Sequence, residues 1–422
     1  MSVIKSIKGV KDLLPEETPR WRLIEETARR WAGRYGFHEI RIPIFEVTTL
    51  FARSIGTSTD IVEKEMYTFQ DRDGSSLTLR PEGTAGTVRA YIEHNRGAIP
   101  VPQKFFYFGP MFRHERPQAG RLRQFHQFGV ESLGMADPQA DVEVIALLWR
   151  ILSDLDLPGL TLEINNLGYT ADRDTFRPQL VSYLKQHEAG LCANCRHRIE
   201  ANPLRVLDCK VPECRAITDT APRLSDSLSE VAHSYFTRVL SGLDVVKIPY
   251  SLNHRLVRGL DYYNLTTFEV TATDLGAQNA VGAGGRYDGL VETLGGPSTP
   301  AVGFALGLER MSMLLPESTV RKIPKDMTVY VAGFGGHGVV AGFTALEELR
   351  LAGLQAVSDF RSTTLKAHLR QADRLGCRFT LIIGDDEVVK GSGVLRDMVT
   401  KVQHDINLST VSAQIHSHFH AS

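Results

Sequence analysis

The stretch Phe112–Glu131, FRHERPQAGRLRQFHQFGVE, gives the strongest indication of the fold. It indicates two strands joined by a basic loop, and the neighbouring segments MYTFQD, SSLTLR and QKFFYFG alternate in the same way. Consecutive short strands, separated here by Asp-Gly-Ser and Gly-Pro loops, favour an antiparallel sheet. Because every second side chain of a strand lies on one face, we expect Gln127, Gly129 and Glu131 to share a surface that ends at Phe125.

The same stretch carries several arginines, namely Arg113, Arg116, Arg121 and Arg123. A guanidinium group is planar and permanently charged, and it binds phosphate oxygens at two points. An aromatic ring beside such groups, here Phe125, is suited to stacking on a nucleotide base. The alternative interpretation is a solvated basic hairpin without a ligand.

The segments around this hairpin predict further elements. Apolar residues at helical spacing predict a helix over Pro19–Tyr35, and FHEIRIPIF (Phe37–Phe45) indicates a strand broken by Pro43. Residues 168–232 hold four of the five cysteines and indicate a helical insertion. These patterns together predict an α+β domain over residues 1–320, with a central antiparallel sheet and the insertion.

The pattern changes after the segment LPESTVRKIPK, which indicates a linker at about residues 316–326. The strands TVYVAGF, LQAVSDF and FTLIIGD then alternate with helices, one of them running from Ser362 as N-cap to Gly376. Such alternation favours a small α/β domain with a mostly parallel sheet over residues 327–422.

Composition excludes several classes of protein. The 48 Lys and Arg residues balance 49 Asp and Glu residues, and a net charge of −1 excludes a generic polycation. No apolar run is long enough for a membrane span. Five cysteines in 422 residues do not form a disulfide framework, so we expect a cytoplasmic protein without membrane partners.

Four further segments carry groups suited to chemistry, although each also has an ordinary structural explanation. LRPEGT (Leu79–Thr84) fits helix capping, and VRGLDYYN (Val257–Asn264) fits a buried Arg–Asp pair. GAGGRYDGL (Gly282–Leu290) fits a tight turn, and AVGFALGLERM (Ala301–Met311) fits a strand–helix junction. Taken together, they supply arginines, aromatic rings and a glycine-lined floor, which suits a nucleotide whose α-phosphate is attacked.

These segments resemble the signatures of class II aminoacyl-tRNA synthetases, and in particular the bacterial histidyl-tRNA synthetase family. GVKDLLP with YGFHEIRIPIFE resembles the first class II motif, FRHERP with RLRQFHQFGVE the second, and GFALGLERM the third. RGLDYY and GAGGRYDGL resemble two signatures specific to the histidine enzymes. The resemblance covers essentially the whole chain.

The resemblance implies a role for individual residues at the reacting centre. Arg113 and Arg258 are expected to be catalytic and to contact the ATP α-phosphate, with Arg258 in a place that a metal ion holds in related enzymes. Arg113 is also expected to hold the histidine carboxylate. The implied ATP-binding residues are Arg113, Arg121, Phe125 and Arg310. The implied histidine-binding residues are Glu82, Gly83, Thr84, Arg113, Gln127, Glu131, Arg258, Tyr262, Tyr263 and Tyr287.

The resemblance also implies a reaction and partners. Histidine and ATP, accompanied by Mg²⁺, would give histidyl-adenylate, and the acyl group would pass to the 3′ end of tRNA(His). A homodimer is expected, with Pro43 at its interface. The alternative function is that of a non-catalytic relative, the regulatory subunit of ATP phosphoribosyltransferase. That relative lacks the C-terminal anticodon domain and tends to lose active-site arginines, whereas Arg113, Arg258 and Arg310 are all present.

The C-terminal region carries a competing signal. GFGGHG (Gly333–Gly338) fits the dinucleotide-binding pattern, with Asp359 about 20 residues further on. The remaining length is too short for both halves of that fold, and the resemblance assigns the region to an anticodon-binding domain. Arg370 and Arg374, together with Arg116 of the hairpin, are the expected tRNA contacts. Arg361, Lys366 and Arg378 are expected on the same basic helix face as the first two, and an ordinary solvated face is the alternative for all of these charges.

Four cysteines, Cys192, Cys195, Cys209 and Cys214, have the spacing C-x2-C-x13-C-x4-C. Such spacing can form a structural Zn²⁺ site of tetrahedral thiolates. The family resemblance does not require a metal here, so buried cysteines without metal are the alternative.

Overall fold

We describe the protein from a computed structural model covering residues 3–56, 59–321 and 328–420. The chain divides into two compact units, residues 1–323 and residues 324–422. Among the described residues, no helix combines the length and the apolar character that crossing a bilayer requires.

The first unit contains strands β1 (His38–Glu39), β2 (Phe45–Val47), β3 (Tyr67–Gln70), β4 (Ser76–Leu79), β5 (Gln103–Phe112), β6 (Gln124–Leu133), β7 (Leu160–Asn166), β8 (Ser251–Leu252), β9 (Asn264–Ala272), β10 (Ala280–Arg286) and β11 (Ala301–Gly307). Its helices are α1 (Thr18–Arg34), α2 (Thr48–Ile55), α3 (Thr84–Glu93), α4 (Pro138–Asp154), α5 (Thr170–Gln186), α6 (Ala193–Ala201), α7 (Leu204–Leu207), α8 (Pro212–Thr218), α9 (Glu230–Val245), α10 (Leu290–Thr293), α11 (Leu308–Leu314) and α12 (Glu317–Val320).

Eight of these strands form the central sheet, in the order β1-β5-β6-β11-β10-β9-β7-β8. The six inner strands, β5 to β7 in this order, pair antiparallel with one another, whereas the edge strands β1 and β8 pair parallel with β5 and β7. Helices α1, α4 and α9 pack their apolar side chains against one face, where Ile24, Leu148 and Leu243 are completely buried. The opposite face is left to carry the polar groups described below. The predicted antiparallel α+β fold is therefore confirmed.

Two details of the predicted strands are wrong. The segment FHEIRIPIF does not form one strand, because β1 pairs with the central sheet while β2 joins a separate sheet of order β2-β4-β3. Arg80 supports the crossing between them by donating hydrogen bonds to the carbonyls of Ile42 (2.8 Å) and Pro43 (3.2 Å). Gly109 and Pro110 were expected to form a loop, but β5 runs through them. β1 pairs only with Phe105 and Phe106, so this end of β5 lies at the sheet edge, where proline is tolerated.

The segment expected to be an insertion is helical as predicted, since α5, α6, α7 and α8 lie within it. Of the expected linker, residues 316–321 contain the short helix α12, and the rest of it lies outside the described residues.

The second unit contains β12 (Val329–Gly333), α13 (Gly336–Leu351), β13 (Ala356–Val357), α14 (Leu365–Arg374), β14 (Phe379–Ile383), α15 (Asp385–Lys390), β15 (Ser392–Asp397), β16 (Gln403–Asn407) and α16 (Val411–His420). The order of its sheet is β13-β12-β14-β15-β16. The first three strands are parallel as predicted, whereas β15 and β16 add an antiparallel edge that the sequence analysis missed. Helix α14 is capped by Thr364, which accepts from the Ala367 N–H, and not by Ser362.

Candidate active site

A cavity of about 440 Å³ opens on the polar face of the central sheet. Arg113 at the end of β5, Arg258 before β9 and Arg310 in α11 all line it, although they lie far apart in the sequence. Antiparallel pairing of β6 with β11, and of β11 with β10, brings these segments to one surface. Three guanidinium groups from distant parts of the sequence therefore share the wall of one cavity.

Arg113 lies beside an aromatic ring and a carboxylate. Its Nε donates to the carbonyl of Pro81 at 2.9 Å, and its guanidinium carbon lies 5.3 Å from the centroid of the Phe125 ring. Glu115 lies 3.9 Å from Arg113 and 2.8 Å from Arg121. The carboxylate thus holds two guanidiniums at the same wall, next to a ring on which a planar base can stack.

Arg310 is anchored by backbone carbonyls. Its Nε donates to Gly120 at 3.1 Å, and its Nη1 donates to Ala280. Burial lowers the pKa of Arg310, and the nearby positive charge of Arg121 lowers it further. An anionic ligand bound beside Arg310 would favour its charged form.

Arg258 forms an ion pair with Glu269 of β9. Burial acts to lower the pKa of Arg258, but the charge of Glu269 outweighs it, and the pKa is raised overall. Its Nε is buried and, within the described part of the chain, has no hydrogen-bond partner. Arg258 is thus held as a cation with one N–H group free for a ligand.

A buried carboxyl group, Glu131 on β6, also lines the cavity. The Tyr107 hydroxyl donates to its Oε1 at 3.1 Å, and the Tyr287 hydroxyl donates to its Oε2. Burial raises the pKa of Glu131 to about 8, although these hydroxyl donors act against the shift. The group is therefore protonated at neutral pH in the free protein and is poised to share a proton with a ligand nitrogen.

Glu82 and Gln127 add further polar atoms to the cavity. Glu82 precedes α3 and accepts from the N–H groups of Thr84 (2.6 Å) and Ala85 (2.9 Å), and its burial raises its pKa. The side-chain oxygen of Gln127 is buried without a hydrogen-bond partner among the residues that the structure describes. A ligand that donates hydrogen bonds, such as an ammonium group, would satisfy it.

Two tyrosines close the pocket around Glu131. Tyr262 and Tyr263 line the cavity with ring centroids 4.6 Å apart, and burial raises the pKa of Tyr263 to about 12. Both hydroxyl groups are therefore neutral at physiological pH and can donate or accept hydrogen bonds.

Most residues proposed from the sequence lie on this cavity, but some do not. The cavity residues among them are Glu82, Thr84, Arg113, Arg121, Phe125, Gln127, Glu131, Arg258, Tyr262, Tyr263 and Arg310. Tyr287 lies behind Glu131, and Gly83 lies under the Tyr107 ring, where a Cβ atom would meet that ring at 2.2 Å. Arg116 is exposed and does not line the cavity.

Among the residues of the site that the sequence analysis missed are Tyr107, Glu115 and Glu269. Each holds another residue of the cavity in place, as a hydroxyl donor to Glu131 or as a carboxylate partner of an arginine. A lone Glu in the apolar strand TTFEVTA was a usable signal for Glu269, because an unpaired charge is costly inside a sheet.

In the second unit, the glycine-rich segment does not present a free phosphate site. It does follow β12 and precede α13, as the dinucleotide pattern requires. However, the chain's own Asp385 accepts from the N–H groups of Gly336 (3.2 Å), His337 (2.7 Å) and Gly338 (2.9 Å). A carboxylate therefore occupies the helix terminus where a phosphate would bind.

Comparison with known proteins agrees with this geometry. A family model described as Histidyl-tRNA synthetase matches residues 9–311, and one described as Anticodon binding domain matches residues 343–418. The chain is 49% identical over 414 residues to a histidine–tRNA ligase of Trichlorobacter lovleyi, covering 98% of each chain. It is 47% identical over 402 residues to one of Desulforamulus reducens, covering 95% of this chain and 96% of the other.

A solved structure is similar as well. The apo histidyl-tRNA synthetase of S. aureus superposes with a TM-score of 0.83 at 37% identity, covering 98% of this chain and 99% of that one. An antiparallel sheet that carries an arginine-lined cavity, with this match over nearly the whole chain, defines a class II aminoacyl-tRNA synthetase. Within that class, the chain belongs to the histidyl-tRNA synthetase family.

Proposed function

We propose that the protein is a histidine–tRNA ligase, which activates L-histidine with ATP and transfers it to the 3′ end of tRNA(His). The observation that carries the proposal is one cavity lined both by three guanidiniums and by a buried carboxyl–tyrosine group. We assign the guanidiniums to a basic end that suits a triphosphate, and the carboxyl–tyrosine group to an end that suits a small ligand with donor nitrogens.

ATP, with Mg²⁺ as part of the substrate complex, would bind at the basic end. Phe125 would stack on adenine, and Arg310 would cover the other face and reach the γ-phosphate. Arg121 would contact the phosphates from the wall that it shares with Arg113. Because the cations are already held by carbonyls and carboxylates, little reorganisation would accompany the reaction.

Histidine would bind at the carboxyl–tyrosine end. Glu131 and Tyr263 would each bond one imidazole nitrogen, while Glu82, Thr84 and Gln127 would hold the α-amino group. The unpaired oxygen of Gln127 supports this placement. An amino acid without two ring nitrogens would leave Glu131 or Tyr263 unpaired in a buried site, and such sites reject substrates that lack the matching groups.

The reaction would proceed in two steps. A carboxylate oxygen of histidine attacks the α-phosphorus, the bond to the bridging oxygen breaks, and pyrophosphate leaves. Arg113 would orient the carboxylate and the α-phosphate, and the free N–H of Arg258 would stabilise charge on the α-phosphate oxygens. The 3′-terminal ribose hydroxyl of tRNA then attacks the acyl carbon, and AMP leaves.

The second unit would bind the anticodon region of tRNA(His). Lys366, Arg370 and Arg374 lie four residues apart on α14 and are exposed, so they form one basic stripe suited to phosphates. Arg361 and Arg378 do not belong to this stripe, because they lie outside the helix and pair with Asp359 and Asp397. Arg116 would contact tRNA from the hairpin of the first unit.

A homodimer would form through the three-stranded sheet that follows Pro43. Phe45, Val47 and Phe69 lie on this sheet and are 53%, 52% and 44% exposed, with the two phenylalanine rings 6.4 Å apart. A group of exposed large apolar side chains is typical of a protein interface.

The alternative function, an ATP phosphoribosyltransferase regulatory subunit, is not favoured. Relatives named histidine–tRNA ligase match nearly the full chain, and the anticodon-binding family model matches the second unit. An assay of charging tests the proposal. The protein should attach labelled histidine to unfractionated tRNA only when ATP is present, and absence of charging by folded protein would contradict it.

A further inference from the structure

Four cysteines of the helical insertion converge on one point. Cys192 and Cys195 lie at the start of α6, whereas Cys209 follows α7 and Cys214 lies in the first turn of α8. All four Sγ atoms lie within 4.8 Å of one another. Cys195 and Cys214 are completely buried, and Cys192 and Cys209 are half-buried.

This spacing fits a single metal ion better than it fits two disulfides. A tetrahedral ion with metal–sulfur bonds of about 2.3 Å places its sulfurs about 3.8 Å apart, and the cluster needs only a small contraction to reach that distance. In two disulfides, each sulfur would lie about 2.05 Å from one partner sulfur only. Here each of the four sulfurs has all three others within 4.8 Å.

The surroundings also suit thiolates. Cys192 is the N-cap residue of α6, and Cys195 lies in the first turn, where the helix dipole favours negative charge. The backbone N–H of Cys192 points at the sulfur of Cys214 at 3.1 Å.

Apolar packing already joins these segments in part, since Ile199 of α6 and Val206 of α7 belong to the same buried cluster as Cys195 and Cys214. Helices α6, α7 and α8 have 9, 4 and 7 residues, and helices this short are marginal without tertiary support. A metal that joins α6 to α8 would supply such support, as it does in small domains with little core.

We propose that Cys192, Cys195, Cys209 and Cys214 bind one structural Zn²⁺ ion, each thiol releasing its proton on binding. All four coordination positions are filled by protein sulfur, so the ion has no open position for catalysis. Its role is to fix the insertion.

Fixing the insertion matters for the active site, because residues of this segment line the cavity. Arg198, Arg205 and Lys210 all lie on its wall, and a Cβ atom at Gly259 would lie 3.3 Å from Nη1 of Arg205. Gly259 directly follows Arg258. Loss of the metal would therefore loosen the wall beside a proposed catalytic arginine without removing any group that contacts substrate.

Metal analysis of the purified, tag-free, full-length chain tests the proposal. We expect about one zinc ion per chain in the wild type. Cys209→Ala should lose the metal, whereas Cys377→Ala, which removes the one cysteine outside the cluster, should keep it. Replacement by Co²⁺ should give the visible absorption of a tetrahedral thiolate site.

A second measurement uses the wild-type protein, so its outcome does not depend on whether a cysteine variant folds. Titration of the wild-type protein with a mercurial thiol reagent should release zinc to a chromogenic chelator, and trypsin should then cleave the insertion faster. Wild-type protein that holds no zinc after growth with added zinc, and shows free thiols or two disulfides by mass spectrometry, would overturn the proposal. So would a Cys209→Ala protein that keeps a full complement of zinc.

Discussion

Glu131 combines burial with two hydroxyl donors, and this combination decides its protonation. The carboxyl group is 1% exposed, and water cannot solvate its charge. Tyr107 and Tyr287 supply hydrogen bonds but no counter-charge. The folded state therefore prefers the neutral acid over a pH range in which the unfolded chain carries the carboxylate.

The substitution Glu131→Gln should change how the free energy of unfolding depends on pH. The pKa of Glu131 is about 8 in the folded protein and lower in the unfolded chain, so the neutral form of the group stabilises the folded state. This stabilisation is fully present below the unfolded pKa. This contribution is lost as pH rises toward 8. From pH 6 to pH 8, wild-type unfolding free energy should fall by roughly 2 to 3 kcal/mol relative to the variant. Urea unfolding at both pH values measures this difference, and parallel behaviour of the two proteins would contradict it.

Arg258 and Glu269 form a pair in which each partner supports the other. Removing the arginine leaves a partly buried carboxylate without its cation, so a loss of activity in Arg258→Ala must be separated from a loss of stability. The double variant Arg258→Ala/Glu269→Ala removes both charges and serves as the matched control.

Arg258→Ala should slow histidine-dependent pyrophosphate exchange roughly 100- to 1,000-fold, because one fixed donor to a developing charge typically supplies that much. The double variant should recover thermal stability but not the exchange rate. A near-normal rate in Arg258→Ala would remove this residue from the mechanism. Recovery of the rate in the double variant would show that the defect was structural.

At the scale of elements, β11 depends on a glycine where it passes over the Glu131 carboxyl group. A Cβ atom at Gly303 would meet Oε2 of Glu131 at 2.1 Å and the carbonyl of Val130 at 2.3 Å. The backbone of β11 can therefore pair with β6 only if this position has no side chain.

Gly303→Ala should lower the unfolding free energy by roughly 1 to 3 kcal/mol, as overpacking does, and should weaken histidine binding by displacing Glu131. Gly289→Ala is the matched control, because a Cβ atom there has nothing within 4 Å. It should change stability by less than about 0.5 kcal/mol. Calorimetry with histidine titration tests both variants, and equal behaviour would contradict the packing argument.

Strands and helices with a clear hydrophobic period were predictable from the sequence. Elements that depend on tertiary contacts were not. The alternation in QFHQFGVE identified β6 and the shared face of Gln127 and Glu131, and helical spacing identified α1. GAGGR gave no strand signal because glycine has no side chain to alternate, yet it forms β10 in the middle of the sheet. Glycine is required there since strands and rings approach closely, which only tertiary contacts reveal.

At the scale of the whole molecule, the chain has two units with separate apolar cores. Val329, Leu346 and Leu381 belong to the core of the second unit, while Ile24, Leu148 and Phe268 belong to that of the first. The cavity is lined by residues of the first unit alone. Activation of histidine should therefore need only the first unit, and charging should need both.

A shortened chain that ends at Arg321 should retain pyrophosphate exchange within a few-fold of the wild type and should lose tRNA charging to a much greater extent. The physical reason is that the basic stripe on α14 is removed while the cavity is intact. Rates of exchange and charging, measured on the same preparation, test this division. Equal losses in both rates would contradict it.

The composition of the site could be proposed from the sequence, but its geometry could not. Resemblance to the class II motifs and the histidine-specific signatures pointed to Arg113, Arg258 and Arg310. Their distance in the sequence gives no reason for them to line one cavity, as they do. The residues that hold them were harder to find, because Glu115 and Glu269 belong to no ligand-binding pattern and act through their partners. Tyr287 was expected to bind histidine, but its hydroxyl group donates to Glu131 and its side chain does not line the cavity.

The most direct test of the central claim is ATP–pyrophosphate exchange by the purified full-length protein, without tRNA, across all twenty amino acids. We predict exchange with histidine and little or none with the others, because only histidine offers two ring nitrogens to Glu131 and Tyr263. Exchange that is absent with histidine, or that is equally fast with another amino acid, would contradict the assignment of this cavity to histidine activation.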